Sequence, residues 1–327
     1  MLALIQNEML KIFRRRRFRV VLLILVAVTG LSVFGRWKSA QRDARTEGIR
    51  DWRINVQRRL VDLQNHLRKN DLPDSYARWM RSEASRLQYS LDHGINPEAV
   101  TGPAVARALL VAYSFLLFPM LVVLFAADLV SAEVSEGTFK LLLTRPVRRW
   151  KILAAKLAAL SACVTLLLAV FWVVAWLIAG AAFGLRGFGM PVLTGFRYVG
   201  GDLDLSGLRQ IPLWQDAWRA TGLAWFAALA VGCLSLLCSV VFRSAAAAIG
   251  TMLASLIAGT ILPRIASAWD FARYFFVTNL PLADYYSGSA PPLSGMTLAT
   301  SATNLALWAA AALAAAFWIL TRRDVVA

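Results

Sequence analysis

A chain of 327 residues that is 58% apolar, with a mean hydropathy of +0.58, is too apolar for a soluble domain of this size. Lysine and arginine outnumber aspartate and glutamate 35 to 19, a net charge of +16. The basic residues flank apolar runs and do not gather into one aromatic-interleaved patch, which argues for membrane orientation and against a nucleic-acid partner.

The chain opens with a basic segment over residues 1–17, where NEMLKIFRRRRF begins. Lys11, Arg14 and Arg15 are its candidate anchors to lipid or to a protein partner. A first span is expected at 18–34; it is short, but the basic run before it can snorkel. Phe34, Gly35, Arg36 and Trp37 read as an interfacial exit. No small-x-small cleavage site follows, so the segment is not read as a cleaved signal peptide.

Residues 35–103 carry two apolar stripes at helical spacing. One holds Trp52, Val56, Leu60, Leu63 and Leu67; the other holds Tyr76, Met80, Ala84, Leu87 and Leu91. Asn70 to Ser75 form a turn signal between them, with Asp74 or Ser75 available as an N-cap. This predicts an extracytoplasmic helical hairpin. Trp52, Leu60, Leu63, Tyr76, Met80 and Leu87 are expected to pack partly on each other and partly on a second copy or an outer loop. His66 and His93 have no second metal ligand at helical spacing.

Five further spans are expected at 104–130, 152–183, 221–242, 245–262 and 303–321, each near the ~20 apolar residues a membrane helix needs. Residues 184–220 form a glycine-rich outer loop, and 263–302 suggest an amphipathic helix lying in the outer interface. Arg107 and Asp128 fall near span ends and are expected to reach the headgroups and the cytoplasmic surface. Small-residue stripes mark the fifth span (Ala246, Gly250, Ala254, Ala258) and the sixth (Ala302, Ala306, Ala310, Ala314), with Gly180 and Gly184 on the third; internal helix packing is the default use of each. Cys163, Cys233 and Cys238 lie inside apolar runs and read as small packing residues. The fold class is therefore an all-α integral membrane protein with six transmembrane helices.

Orientation follows from the basic residues of the short segments. The N-terminal tail, the loop at 131–151, Arg243, and the tail at 322–327 with Arg322 and Arg323 all fall on one side, which is then cytoplasmic. The expected location is the cell membrane of a prokaryote, with both termini inside.

The loop between the second and third spans is the most informative segment. Glu133 and Glu136 follow the second span; Gly137 and Thr138 make a turn; Phe139, Leu141, Leu142 and Leu143 form a short apolar ridge before Pro146; then come Arg148, Arg149, Lys151 and Lys156. A solvated loop does not need three consecutive leucines, and a span would not contain this many charges. A short helix at the membrane surface, offering its ridge to a protein, fits both facts.

The order Glu-x-x-Glu-Gly-Thr, leucines, Pro with a basic residue, then Lys resembles the permease subunits of ABC transporters of the second exporter type, as does NEMLKIFRRRRF, so that the resemblance implies a cytoplasmic amphipathic elbow helix over residues 1–17. The resemblance implies that this loop is a coupling helix docked on separate ATP-hydrolysing subunits, that the permease dimerises with a second copy or a paralogue, and that ATP and Mg are bound by the partner. Glu133 and Glu136 would contact the ATPase or fix the loop; Arg148 and Arg149 would anchor anionic lipid or acidic ATPase residues. This chain itself has no P-loop, no nucleophile–base set and no metal motif, so no catalytic residue is assigned. The expected function is ATP-driven export of a cargo the residues do not name: peptide antibiotic, lipid, drug or ion. The alternative is a non-transporting membrane subunit that passes ATPase motion to an extracytoplasmic partner for assembly or maturation.

Overall fold

The computed structural model describes residues 1–14, 16–47, 51–68, 74–97, 99–135, 137, 148–199, 202–204, 206–265, 270–289, 291–293 and 295–322. The chain is mostly helical, and among the described residues five helical stretches are long and apolar enough to cross a membrane.

Helix α1 (Leu2–Arg14) buries Glu8 and Ile12 on the bundle while Leu2 and Leu10 stay exposed. α2 (Arg16–Glu47) buries Phe18, Val21, Leu25 and Val33 along one face and leaves Leu23, Leu31 and Phe34 exposed. The helix runs on through the predicted exit at Phe34 to Trp37. One interior glycine costs a helix only about 1 kcal/mol, and good helix formers follow Gly35.

α3 (Trp52–Leu67) and α4 (Asp74–Asp92) pack on each other through Val56, Leu60 and Leu87, with Trp52, Leu63, Ala84 and Leu91 around them. Arg59 of α3 pairs with Glu83 of α4 at 3.3 Å. Met80 is buried, but Tyr76 is 46% exposed, so the second stripe is shorter than its spacing suggested. The turn signal at 70–73 lies outside the described residues.

The second span is not one helix. α5 (Gly102–Phe115) and α6 (Leu117–Ala126) meet at Leu116, whose φ of −127° and ψ of −47° break the helical path. Pro119 explains the break: it has no N–H to give the Phe115 carbonyl, and its ring crowds that carbonyl. Thr101 caps α5 by accepting from the Ala104 N–H. After α6 come turns at 127–130 and a short α7 (Ser131–Ser135).

α8 (Arg149–Phe183) spans about 52 Å at ~1.5 Å per residue, well beyond a ~30 Å hydrocarbon core. Its glycines allow close approach to α5: a Cβ on Gly102 would lie 2.5 Å from the Gly184 carbonyl oxygen and 2.8 Å from the Gly180 Cα.

The segment before α9 corrects the all-α expectation. β1 (Pro191–Thr194) pairs antiparallel with β4 (Arg209–Pro212), and β2 (Arg197–Val199) with β3 (Asp202–Asp204) between them. Gly195 turns the chain at φ +92°, where a Cβ would sit 2.2 Å from the Gly207 carbonyl oxygen. α9 (Leu213–Val241) starts well before the predicted 221, because Asp216 stabilises its first turn instead of marking loop. α10 (Ala245–Ile265) follows a tight turn. The predicted amphipathic helix is replaced by two 3-10 turns, Asp270–Tyr274 and Val277–Asn279, and a short α11 (Asp284–Ser287). Asn279 Nδ2 donates to the Arg273 and Phe275 carbonyls, supplying partners that a continued helix would have supplied. α12 (Leu298–Arg322) closes the described chain.

α9 is the central helix. It packs on α5, α6, α8, α10 and α12 and divides the interior into two apolar cores. Ala246, Gly250, Ala254 and Ala258 all face outward, so the expected internal packing of that stripe is overturned; α10 buries Ala248, Met252 and Leu256 instead.

Candidate functional site

The described residues immediately before the loop at 138–147 are held by a closed ring of four charges. Lys11 Nζ donates to Glu8 Oε1 and to Glu133 Oε1, both at 2.8 Å. Lys156 Nζ donates to Glu8 Oε2 at 2.7 Å and lies 2.9 Å from Glu133 Oε2, an ion pair rather than an aligned hydrogen bond. Lys156 also donates to the Leu129 carbonyl at 2.7 Å. The ring has two positive and two negative members and ties together α1, α7 and α8.

Burial makes these contacts matter. Lys156 is 1% exposed and Glu133 4%. Burial pushes the Glu8 carboxyl up, but the Lys156 charge and the hydrogen bonds from Lys11 and Lys156 outweigh it and leave the group below its usual value. Burial likewise works against the Lys11 ammonium, and its bonds to Glu133 and Glu8 reverse the effect and raise it. Glu8 and Lys11 are thus each held charged in a setting where either alone would be costly.

A second layer fixes the same region. Arg17 at the start of α2 pairs with Asp128 in the turn after α6. Ser239 Oγ of α9 accepts from the backbone N–H groups of Val130 and Ser131 at 2.8 and 2.9 Å, and Ser131 Oγ donates to the Ala127 carbonyl. Gly137 then turns at φ +70°. On the far side of the loop, Arg149 donates to the Thr321 carbonyl at the end of α12. The N-terminal helix, both flanks of the loop and the end of α12 therefore share one end of the bundle. α3, α4, the sheets and α11 occupy the other, joined by Arg86 to the Ser287 carbonyl and Tyr198 to the Gly288 carbonyl.

Of the residues singled out from sequence, Glu133 and Lys11 come together in this ring. Arg14 and Arg148 are exposed and Arg149 is half-buried. Arg15, Glu136, Thr138, Phe139, Leu141, Leu142, Leu143 and Pro146 lie outside the described residues. Asp128 does not reach the surface as expected; it is buried against Arg17. Arg107 does not reach the headgroups; its Nε donates to the fully buried Asp216 at 2.6 Å. Sequence reasoning missed Glu8 and the true place of Lys156. The available signal was a lysine deep in the apolar run KILAAKLAAL, where an ionisable side chain needs a partner.

Residues 74–326 match the family model described as "Protein of unknown function (DUF2705)". The chain is 27% identical over 328 residues to the "Uncharacterized protein YhcI" of Bacillus subtilis (strain 168), covering 99% of each chain. It is 27% identical over 213 residues to the "Uncharacterized membrane protein YdbK" of the same organism, covering 64% of this chain and 78% of that one.

Proposed function

Because the chain belongs to the DUF2705 family, whose description assigns no activity, we propose from its own residues that it is the permease subunit of an ATP-driven ABC exporter. The observation that carries this reading is the buried ring Glu8–Lys11–Glu133–Lys156 at the root of the loop with the apolar ridge. A loop that only joins two spans does not need its stem tied to two other helices by buried charges. A loop that receives a push does, because force on the ridge then moves α1 and α8 together instead of bending the stem.

In this reading α1 is the elbow helix on the cytoplasmic face. The spans are α2, the broken pair α5 and α6, α8, α9, α10 and α12, six crossings with both termini inside the cell membrane. α3 and α4 form an extracytoplasmic hairpin. Two partner ATPase subunits bind ATP and Mg, close on Phe139, Leu141, Leu142 and Leu143, and drive two permease copies to expel a cargo. Glu133 fixes the loop, and the broken second span is the natural place for it to flex.

The test is copurification from the native membrane. A nucleotide-binding ATPase should accompany the wild-type chain. Burying one leucine is worth ~1.5–3 kcal/mol, so Leu142→Asp should weaken that association at least about tenfold while the chain still inserts. The absence of any ATPase partner, or equal recovery with Leu142→Asp, overturns the reading.

A further inference from the structure

A cavity of about 260 Å³ lies between α4, α5 and β1. Arg86 of α4 lines it, as do Ala104, Arg107 and Ala108 of α5. Positions 104, 107 and 108 share one face of that helix. The alanines beside Arg107 are too short to cover its guanidinium. Among the described residues, no aspartate or glutamate lines the cavity.

Arg107 has donors to spare. Its side chain is only 13% exposed, and its Nε is spent on the fully buried Asp216 at 2.6 Å. Its Nη2 is buried with no hydrogen-bond partner. A buried donor of a charged group is costly to leave unmade, so it calls for an acceptor. Arg86 adds a second positive charge and holds only a share of a carboxylate, because Glu83 also pairs with Arg59. Asp284 is a further carboxyl that feels Arg107, but it lines a separate cavity, and burial pushes it up to about 6. The remaining walls include Ile95, Val192 and Phe196, which are apolar. The volume is below the ~300–1,000 Å³ of pockets for drug-sized ligands. An occupant must then be small, carry a negative end and bring an apolar group. Inorganic phosphate has no apolar group, whereas a planar carboxylate matches the two-nitrogen fork of a guanidinium.

We propose that this cavity binds a small organic carboxylate, with its charged end on Arg107 and its apolar group against Val192 and Phe196. The site rests on these side chains alone and does not depend on coupling to an ATPase.

The test is a calorimetric titration of the detergent-solubilised full chain at about pH 5, where Asp284 is mostly protonated and a free α-carboxyl, at about 3.5, is ionised. The probes are N-acetyl-L-leucine, its neutral amide N-acetyl-L-leucinamide, and inorganic phosphate. The acid should bind at least about tenfold more tightly than the amide, which lacks the charge that strengthens the hydrogen bonds, and more tightly than phosphate. This comparison uses the wild type and needs no variant to fold. Ala108→Leu places bulk beside the guanidinium and should lose the preference for the acid. Arg107→Gln combined with Asp216→Asn should lose it too, and that pair leaves no buried charge unmatched. Arg86→Gln should weaken binding of the acid, while Arg53→Gln, exposed on α3, should match the wild type. Equal binding of acid and amide, or no binding of the acid, overturns the proposal, because the cavity then holds only water. Undiminished binding in both Ala108→Leu and the double variant also overturns it. Glu98 follows the lining residue Pro97 in sequence and lies outside the described residues. Binding that appears only in Glu98→Gln would mean that the chain's own carboxylate takes the place, and likewise overturns the proposal.

Discussion

Lys156 Nζ lies 2.7 Å from a carboxylate oxygen of Glu8, with both groups out of water, and so locks the long third-span helix to the N-terminal helix. The same ammonium reaches Glu133 across the root of the loop. Three segments far apart in sequence are therefore tied together at one end of the bundle.

Removing one member of this ring should cost more than removing a matched pair. Lys156→Met leaves Glu8 and Glu133 with only Lys11 between them, and breaking a buried pair costs about 3–5 kcal/mol. Lys156→Met combined with Glu8→Gln restores neutrality, so the double variant should recover at least about 1 kcal/mol of the loss. Apparent melting temperatures in detergent measure both. A single variant that melts with the wild type would show that the ring does not hold the helices together.

Two glycines on α10 should respond in opposite directions to alanine. A Cβ on Gly259 would lie 2.3 Å from the Cβ of Val277, and no valine rotamer moves that atom away. Gly259→Ala must push the helix off the 3-10 turn, at about 1–3 kcal/mol. Gly250→Ala meets nothing and should gain up to about 1 kcal/mol of helix propensity. Thermal unfolding of the two variants checks the order; equal melting would mean that α10 does not rest on that turn.

Periodicity and charge carried the sequence far where one rule governed a segment. The stripe of Trp52, Val56, Leu60 and Leu63 predicted α3 and the face it packs, and the apolar runs located the long helices. It failed where two residues far apart decided the outcome. Asp216 looked like loop polarity because Arg107, its partner, lies more than a hundred residues away. Lys156 looked like part of a basic surface cluster because Glu8 and Glu133 are each on another helix. Pro119 was a local signal for the broken second span, but the surrounding apolar run masked it. The strands at 191–212 are too short to register as alternation.

The two ends of the bundle should label from opposite sides of the membrane. Gln57 on α3 and Ser135 at the loop root are both exposed. The native thiols give little background, since Cys163 and Cys233 are buried and Cys238 is half-buried. An impermeant maleimide added to intact cells should label Gln57→Cys and leave Ser135→Cys unlabelled until the cells are broken. The reverse pattern would place the loop outside and remove it from reach of any cytoplasmic ATPase.

Asp284 should make the folded chain less stable as pH rises. Burial pushes its carboxyl up to about 6, against the opposing pull of Arg107. A free carboxyl of this type titrates near 3.8. The folded chain therefore holds the proton more tightly than the unfolded one. The resulting stability is fully present below the unfolded value and is lost as pH climbs through about 6, a change on the order of 2–3 kcal/mol. Glu8 acts in the other sense, because its carboxyl is held below its usual value; its contribution is present above that value and fades in acid. The two windows differ, so Asp284→Asn isolates the first. The variant should melt higher than the wild type at about pH 7, converge with it near pH 4, and show a flatter profile between them. Identical profiles for the two proteins would mean that Asp284 is solvated in the folded chain.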